Sequence, residues 1–153
     1  MKIFDCFTFF NELELLELRF MELYDIVDYF VLVEANRSHN GTPKEFLFEK
    51  NKDRYEKKYL DKVIYVKVED MPSYDNNDIF KLEYFQRNAI MRGLEGKAIA
   101  GDKILVSDLD EIPNVEAIKA NLDVHRWILF RQTLFYYYVN CKVRRPWGGT
   151  VIA

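Results

Sequence analysis

Two aspartates separated by a single residue, Asp108 and Asp110, directly follow an apolar run. The run, residues 104–106, suits the interior of a sheet, and Pro113 cannot donate to a strand ladder, so a strand should end near Ser107. Alternate residues of an extended chain point to the same side, which would bring the two carboxylates together. Such hard oxygen ligands suit Mg²⁺ or Mn²⁺ carrying a phosphate, so the spacing predicts a metal site at the carboxyl end of a strand.

The same acidic segment also has a purely structural interpretation. Glu111 follows the two aspartates, and Asn114 opens a segment that could form a helix. Carboxylates and amides favour turns and helix starts, so the three acids could simply form an acidic turn that caps this helix. The triplet alone does not decide between a metal site and a cap.

Strand and helix patterns alternate along the first half of the chain. Residues 2–10 and 27–35 are nearly continuous β-formers, and residues 63–68 alternate in an apolar pattern, so each range predicts a strand. Asn11 can cap a helix that runs to about Tyr24. The apolar residues of this helix recur at helical spacing: Leu13, Leu16, Phe20 and Leu23. A strand, a helix and a strand in this order predict a parallel pair.

Three further helices are predicted from apolar periodicity. Residues 46–60 predict a surface helix, and its packed side would be aromatic: Phe46, Phe48, Tyr55 and Tyr59. Another helix should begin at Ile79 and end near Gly93, and a short one should cover residues 115–122. The polar side of the Ile79 helix carries Glu83, Arg87 and Asn88.

Other segments lack helical periodicity. Residues 36–44 are turn formers and predict an exposed loop at the end of the sheet, where His39 either contacts a ligand or is simply solvated. Residues 126–139 predict one strand or two. Residues 144–150 predict a loop that enters one more strand.

Composition limits the class of protein. The chain has 153 residues, 49% of them hydrophobic and 16% aromatic, which predicts one globular domain spanning residues 1–153. The alternation of strands and helices makes this domain α/β. Its 22 basic and 25 acidic residues give a net charge of −3, so no nucleic-acid surface or polybasic membrane anchor is expected. No apolar run suits a membrane segment or signal peptide, and a cytoplasmic location is expected. Cys6 and Cys141 are predicted to be reduced, buried thiols.

Five blocks of the sequence, in order, resemble glycosyltransferase family 17. They are residues 5–12 (DCFTFFNE), 27–35 (VDYFVLVEA), 86–90 (QRNAI), 107–113 (SDLDEIP) and 147–150 (WGGT). The resemblance implies a GT-A-like, Rossmann-like fold, a mostly parallel sheet flanked by helices. It also implies inverting transfer of a sugar, N-acetylglucosamine being the leading candidate, from a UDP-sugar to a glycan acceptor. The Asp-x-Asp motif would then place Mn²⁺ or Mg²⁺ on Asp108 and Asp110, with Asp108 also reaching the nucleotide.

The resemblance assigns donor-binding roles to five residues besides the aspartates. Phe7, Thr8 and Glu34, at the ends of the first two strands, would face the uridine, although plain core packing explains Phe7 and Thr8 equally well. Arg87 and Asn88 would reach the diphosphate or ribose. Their structural alternative is an ion pair of Arg87 with Glu83, four residues earlier on a solvated helix face.

The acceptor side is less defined. Inverting transfer needs a carboxylate base, and Glu111 is the catalytic candidate, either as that base or as a residue that orients the site. Trp147 beside Gly148 and Gly149 would offer a flat ring on which an acceptor sugar can stack, and its alternative is a core tryptophan at a turn.

The resemblance also raises a question of length. Catalytic domains of this type continue past the Trp-Gly-Gly block, so the chain is expected to be the amino-terminal, nucleotide-binding part, truncated at its C-terminus. Two other functions stay open, a non-catalytic nucleotide-binding remnant and a metal-dependent phosphohydrolase. The sequence leaves the donor sugar, the acceptor and the oligomeric state open.

Overall fold

The computed structural model describes residues 1–135 and 140–153 of the chain. The strands in this part are β1 (Ile3–Phe9), β2 (Tyr29–Ala35), β3 (Val63–Val68), β4 (Lys103–Asp108), β5 (Ile128–Gln132) and β6 (Trp147–Ile152). The helices are α1 (Leu13–Leu23), α2 (Leu47–Asn51), α3 (Lys57–Leu60), α4 (Lys81–Asn88), α5 (Ile90–Leu94) and α6 (Val115–Lys119), with a 3₁₀ turn at Lys52–Arg54. Among these residues no helix is long and apolar enough to cross a membrane.

The six strands form one sheet in the order β3-β2-β1-β4-β6-β5. The first four in this order are parallel. At one side of them β6 pairs antiparallel with β4, and β5 pairs antiparallel with β6. The predicted α/β class with a mostly parallel, helix-flanked sheet is therefore confirmed. The chain proceeds outward from β1 to β3 and then returns to place β4 on the other side of β1. This reversal creates a topological switch point between β1 and β4, where open α/β sheets bind ligands at the carboxyl ends of their strands.

Alternation along β1 and β4 sends successive side chains to opposite faces of the sheet. One face is covered by α1, α2, α3 and α6, and its core includes Phe7, Phe9, Leu16, Phe20, Leu105 and Ile118. The other face is covered by α4 and α5, and its core includes Phe4, Cys6, Val31, Ala89 and Ile90. Burial in this second core raises the pKa of the Cys6 thiol.

Gly93 is the second-last residue of α5, so the helix ends near Gly93 as the sequence predicts. A Cβ built on Gly93 would lie 2.5 Å from Val31 Cγ1 and 2.9 Å from Val66 Cγ2. The glycine therefore lets the backbone of α5 approach β2 and β3 closely. The predicted single helix is in fact two, α4 and α5, which meet at Ala89.

Other predicted elements differ in their bounds. The helix expected over residues 46–60 is divided into α2, the 3₁₀ turn and α3, although Phe48, Tyr55 and Tyr59 are buried as expected. Asn11 does not cap α1. The Glu12 carboxylate instead accepts hydrogen bonds from the backbone N–H groups of Phe10 and Asn11, at 3.2 and 3.0 Å.

The C-terminal elements also depart from expectation. Residues 147–149 belong to β6 and not to a loop, and Cys141 is exposed rather than buried. The strand predicted over residues 126–139 is β5 in its described part, and residues 136–139 lie outside the described residues.

Candidate functional site

The switch point between β1 and β4 is where the acidic motif lies. Thr8 of β1 is paired in register with Asp108 of β4, so the last residues of both strands reach the same edge of the sheet. Because β6 runs antiparallel to β4, its first residue, Trp147, begins at this edge as well. Topology thus brings together segments separated by about 100 and 40 positions in sequence.

Three cavities meet at Asp108. The His39 cavity, of about 300 Å³, lies over α4, and its lining includes Thr8, Phe10, Glu12, His39, Glu83, Gln86, Arg87 and Asp110. The Pro113 cavity, of about 730 Å³, lies toward α6 and β5 and shares Asp108 and Asp110 with the first. The Gly148 cavity, of about 620 Å³, lies between α4 and β6. Asp108 is therefore accessible from three sides.

The His39 cavity carries a surplus of negative charge. Glu12, Glu83, Asp108 and Asp110 contribute four carboxylates against the single guanidinium of Arg87, a formal charge of −3. Arg87 Nη2 already donates to Asp108 Oδ1 at 2.6 Å and to Glu83 Oε1 at 3.1 Å. An anionic ligand would be repelled from this cavity unless a cation were bound with it.

The carboxylates available for a cation are those of Asp108 and Asp110. Among the described residues, Asp110 makes no side-chain hydrogen bond, and Asp108 has a contact at Oδ1 only. No group of three or more potential metal-ligating side chains occurs in the described part of the chain. Two carboxylates with further positions left for phosphate oxygens and water fit Mg²⁺ or Mn²⁺ bound together with a nucleotide. They do not fit a closed structural metal site.

The geometry at the motif differs from the extended chain assumed in the sequence argument. β4 ends at Asp108, and the chain turns through Leu109 and Asp110. Both carboxylates nevertheless line the His39 and Pro113 cavities. Helix α6 is capped by Asn114, whose side-chain oxygen accepts from the N–H of Ala117 at 3.1 Å. The acids are thus not needed as the cap of this helix.

Glu111 connects the end of β4 to the start of β6. Its Oε2 accepts from the Asp108 backbone N–H at 3.1 Å, and its Oε1 accepts from the indole N–H of Trp147. The Thr150 hydroxyl, which is buried, donates to the Glu111 carbonyl oxygen at 2.8 Å. With both carboxylate oxygens engaged, Glu111 is arranged to hold Asp108 and Trp147 in place.

Trp147 and its two glycines line the Gly148 cavity together with Asn88 and Arg87. The Trp147 side chain is 46% exposed, so it is not a core tryptophan. A Cβ on Gly149 would lie 1.5 Å from Gln132 Oε1, and one on Gly148 would lie 2.9 Å from Leu129 Cδ2. The space that the glycines leave is therefore filled by side chains of β5.

Phe7 and Glu34 do not line any of the three cavities. Phe7 is fully buried on the α1 face of the sheet. Glu34 is also fully buried, and its oxygens bind Lys44 Nζ at 2.7 Å, the Tyr65 hydroxyl at 2.7 Å and the N–H of Leu47 at 2.6 Å. Burial raises the pKa of Tyr65, and the hydrogen bond that its hydroxyl donates to Glu34 raises it further. Thr8, Arg87 and Asn88 are the residues of the predicted donor set that reach the cavities around Asp108.

The sequence profile of glycosyltransferase family 17 matches residues 1–138, nine-tenths of the chain. The chain belongs to glycosyltransferase family 17. Comparisons with curated proteins and with solved structures gave no match. Family membership establishes glycosyl transfer, from a sugar donor to an acceptor, as the general activity. The acidic motif and the Arg87 segment lie inside the matched range, and the Trp147 block lies beyond it.

A buried ion pair that sequence reasoning missed supports the acidic turn of this glycosyltransferase. Arg19 of α1 and Asp5 of β1 are both fully buried. Arg19 donates to both Asp5 oxygens at 2.7 and 2.8 Å, to the Ser107 hydroxyl at 2.6 Å and to the carbonyl oxygens of Asp108 and Leu109 at 2.8 and 2.9 Å. All five N–H donors of a guanidinium are thereby satisfied.

The sequence did contain a signal for this pair. Arg19 follows Leu16 by three residues and precedes Leu23 by four, so it lies on the apolar face of α1. Asp5 interrupts an otherwise apolar strand. A charge on each of two surfaces that must pack together indicates a buried pair, because neither charge is stable there alone.

We expect Glu34→Gln to destabilise this glycosyltransferase by about 1–3 kcal/mol while leaving its affinity for UDP within about twofold of the parent. An amide can replace some of the acceptor contacts, but it loses the ion pair with Lys44 and its NH₂ group faces other donors. Urea unfolding and calorimetric titration with UDP measure the two quantities. A large loss of UDP affinity in a protein of unchanged stability would instead make Glu34 a nucleotide contact.

Proposed function

We propose that this chain binds a UDP-sugar with Mn²⁺ or Mg²⁺ and transfers the sugar, N-acetylglucosamine, to a glycan acceptor with inversion at the anomeric carbon. The sheet order and its switch point are consistent with the GT-A-like arrangement that such donors require. In this proposal the nucleotide lies in the His39 cavity and the acceptor approaches from the side of Trp147.

The observation that carries the proposal is that Asp108 is shared by three cavities, with Asp110 shared by two of them. A transferase must hold the sugar–phosphate bond at a point reached by the donor from one side and by the acceptor from another. In this proposal the Asp108–Asp110 turn is that point. A nucleotide-binding domain with no transfer function would need only the His39 cavity.

The divalent cation, when bound, would neutralise charge that develops on the departing diphosphate. Asp108 and Asp110 would supply its protein ligands, and Arg87 would place a guanidinium next to the same phosphates. Because Arg87 is held by Asp108 in this structure, coordination by Asp108 would release it toward the diphosphate. This exchange gives Arg87 a role that a simple surface ion pair with Glu83 does not have.

On the acceptor side, Trp147 lines both the Pro113 and the Gly148 cavities. Its half-exposed ring can stack against a pyranose, while its indole N–H is held by Glu111. Glu111 therefore acts in this proposal as the residue that positions Trp147 and Asp108. To act as a general base it would first have to give up one of its two hydrogen bonds.

Calorimetry with UDP, UDP-N-acetylglucosamine and ADP, each with and without Mn²⁺, tests the proposal. We expect binding of both uridine ligands that depends on Mn²⁺, and weaker binding of ADP. Equal affinity for ADP and UDP would favour a less selective phosphate site, as in a phosphohydrolase. No binding of either uridine ligand would overturn the proposal.

Arg87→Ala should weaken UDP more than it weakens free uridine, because a guanidinium bonds phosphate oxygens through charge-assisted hydrogen bonds of about 1.5–3 kcal/mol. The same variant should bind Mn²⁺ alone at least as tightly as the parent, since the competitor for Asp108 Oδ1 is removed. Titrations of each ligand into both proteins measure these effects.

Arg92→Ala is the matched control, because Arg92 forms an exposed pair with Asp70 and lies outside the three cavities. It should leave all three affinities unchanged. If Arg87→Ala weakens UDP and uridine equally, Arg87 has only its role as a helix-surface ion pair.

A further inference from the structure

Gln86 of α4 is buried and has a fixed orientation. Its Nε2 donates to the carbonyl oxygens of Val33 at 3.0 Å and Phe9 at 3.4 Å. Carbonyl oxygens only accept, so the NH₂ group of the amide must face them. The amide oxygen Oε1 is thereby turned toward His39, whose Nε2 lies 3.0 Å away.

This orientation determines which nitrogen of His39 carries the proton. An amide oxygen can only accept, so His39 Nε2 must be the donor. In the neutral imidazole Nδ1 is then an acceptor, and no contact to Nδ1 is found among the described residues. His39 is therefore attached to the core of the protein through Gln86, although it is exposed and belongs to a loop.

The position of His39 relative to the acidic turn follows from the sheet order. Gln86 bridges the ends of β1 and β2, whereas Asp108 ends β4 on the far side of β1. A diphosphate at Asp108 and Asp110 would therefore leave the β1–β2 end of the His39 cavity for the rest of the nucleotide. Phe10, 45% exposed, also lines this cavity.

We propose that His39 and Phe10 bind the nucleoside of the donor, with His39 Nδ1 accepting a hydrogen bond from an N–H or O–H group and the Phe10 ring stacking on the base. The inference rests on the proposed function and specifies which end of the donor occupies this part of the cavity. The diphosphate of a nucleotide sugar carries no proton at neutral pH, so the bare Nδ1 selects the nucleoside and not the diphosphate. Aromatic rings are the usual partners of nucleobases in protein sites.

Calorimetric titration with UDP and with pyrophosphate, both with Mn²⁺, separates the two ends of the ligand. His39→Ala should lower the affinity for UDP by about three- to tenfold and leave pyrophosphate unchanged. Phe10→Ala should lower the affinity for UDP by about tenfold or more, again without an effect on pyrophosphate. His125→Ala is the matched control, since His125 lies away from the three cavities that meet at Asp108.

Nitrogen NMR of ¹⁵N-histidine-labelled protein provides a signal that would not change on ligand binding if His39 had a purely structural role. We expect His39 to show a protonated Nε2 and a bare Nδ1, and the Nδ1 signal to shift on addition of UDP but not of pyrophosphate. A protonated Nδ1 in the neutral ring, or UDP affinity unchanged in both His39→Ala and Phe10→Ala, would overturn the inference. Failure of the parent protein to bind UDP at all would instead remove the proposed function on which the inference depends.

Discussion

Asp110→Ala should abolish Mn²⁺-dependent binding of UDP without unfolding the protein. Asp110 is exposed and its carboxylate has no partner among the described residues, so its removal takes away a ligand and leaves the core intact. Loss of an outer-shell contact commonly lowers metal affinity 10–100-fold, and loss of one of two protein ligands should exceed about 100-fold. Calorimetry with UDP and Mn²⁺ gives the affinity, and urea unfolding gives the stability.

Asp123→Ala makes the same change of charge at an exposed position outside the three cavities and should leave UDP affinity unchanged. Asp108→Ala should also weaken binding, and it additionally frees Arg87. If both Asp110→Ala and Asp108→Ala bind UDP with Mn²⁺ as tightly as the parent, the acidic turn holds no metal and is only a turn.

Much of the fold could be predicted because its signals are local. Each parallel strand is a short apolar run, and each run was recognised to within two residues at either end. The breaks inside predicted helices could not be recognised in this way. Ala89 and Gly93 are compatible with a continuous helix, and the close approach of α5 to β2 and β3 at Gly93 depends on tertiary packing that the local sequence does not show.

The sequence indicated only some residues of the candidate site, for a different reason. The acidic motif can be recognised from its residue types and their spacing. The residues that contact it come from other parts of the chain. Arg87 lies 21 positions from Asp108, and Trp147 lies 36 positions from Glu111. These pairings depend on strand order, which the sequence pattern did not supply.

Adjacent residues at the end of a strand illustrate the same limit. For Phe7 and Thr8 the resemblance implied contact with the nucleotide, and core packing was an equal alternative. Alternation sends the two residues to opposite faces of the sheet. Thr8 reaches the His39 cavity. Phe7 enters the core, where its ring centroid lies 4.6 Å from Cζ of the Arg19 guanidinium. Glu34 was also expected to face the uridine. It is fully buried, and its oxygens bind Lys44, Tyr65 and the first turn of α2.

Arg19→Met or Asp5→Leu alone should destabilise the protein by about 3–5 kcal/mol, because each leaves the other charge buried without its partner. The pair has no exposed surface through which water could compensate. Urea unfolding measures the loss. A loss below about 1 kcal/mol in both single variants would show that the site relaxes and that the pair is not held as tightly as its five hydrogen bonds indicate.

The double variant Asp5→Leu/Arg19→Met separates stability from support of the site. Removing both charges together relieves the unpaired charge, so it should recover a large part of the stability lost in either single variant. Recovery should be incomplete, because the Ser107 hydroxyl and the carbonyl oxygens of Asp108 and Leu109 lose their donor. Without that donor the turn that carries Asp108 and Asp110 is no longer tied to α1, so Mn²⁺-dependent UDP binding should stay weaker than in the parent by about tenfold or more, the size expected for loss of outer-shell support. A double variant that binds UDP as tightly as the parent would restrict Arg19 to a structural role.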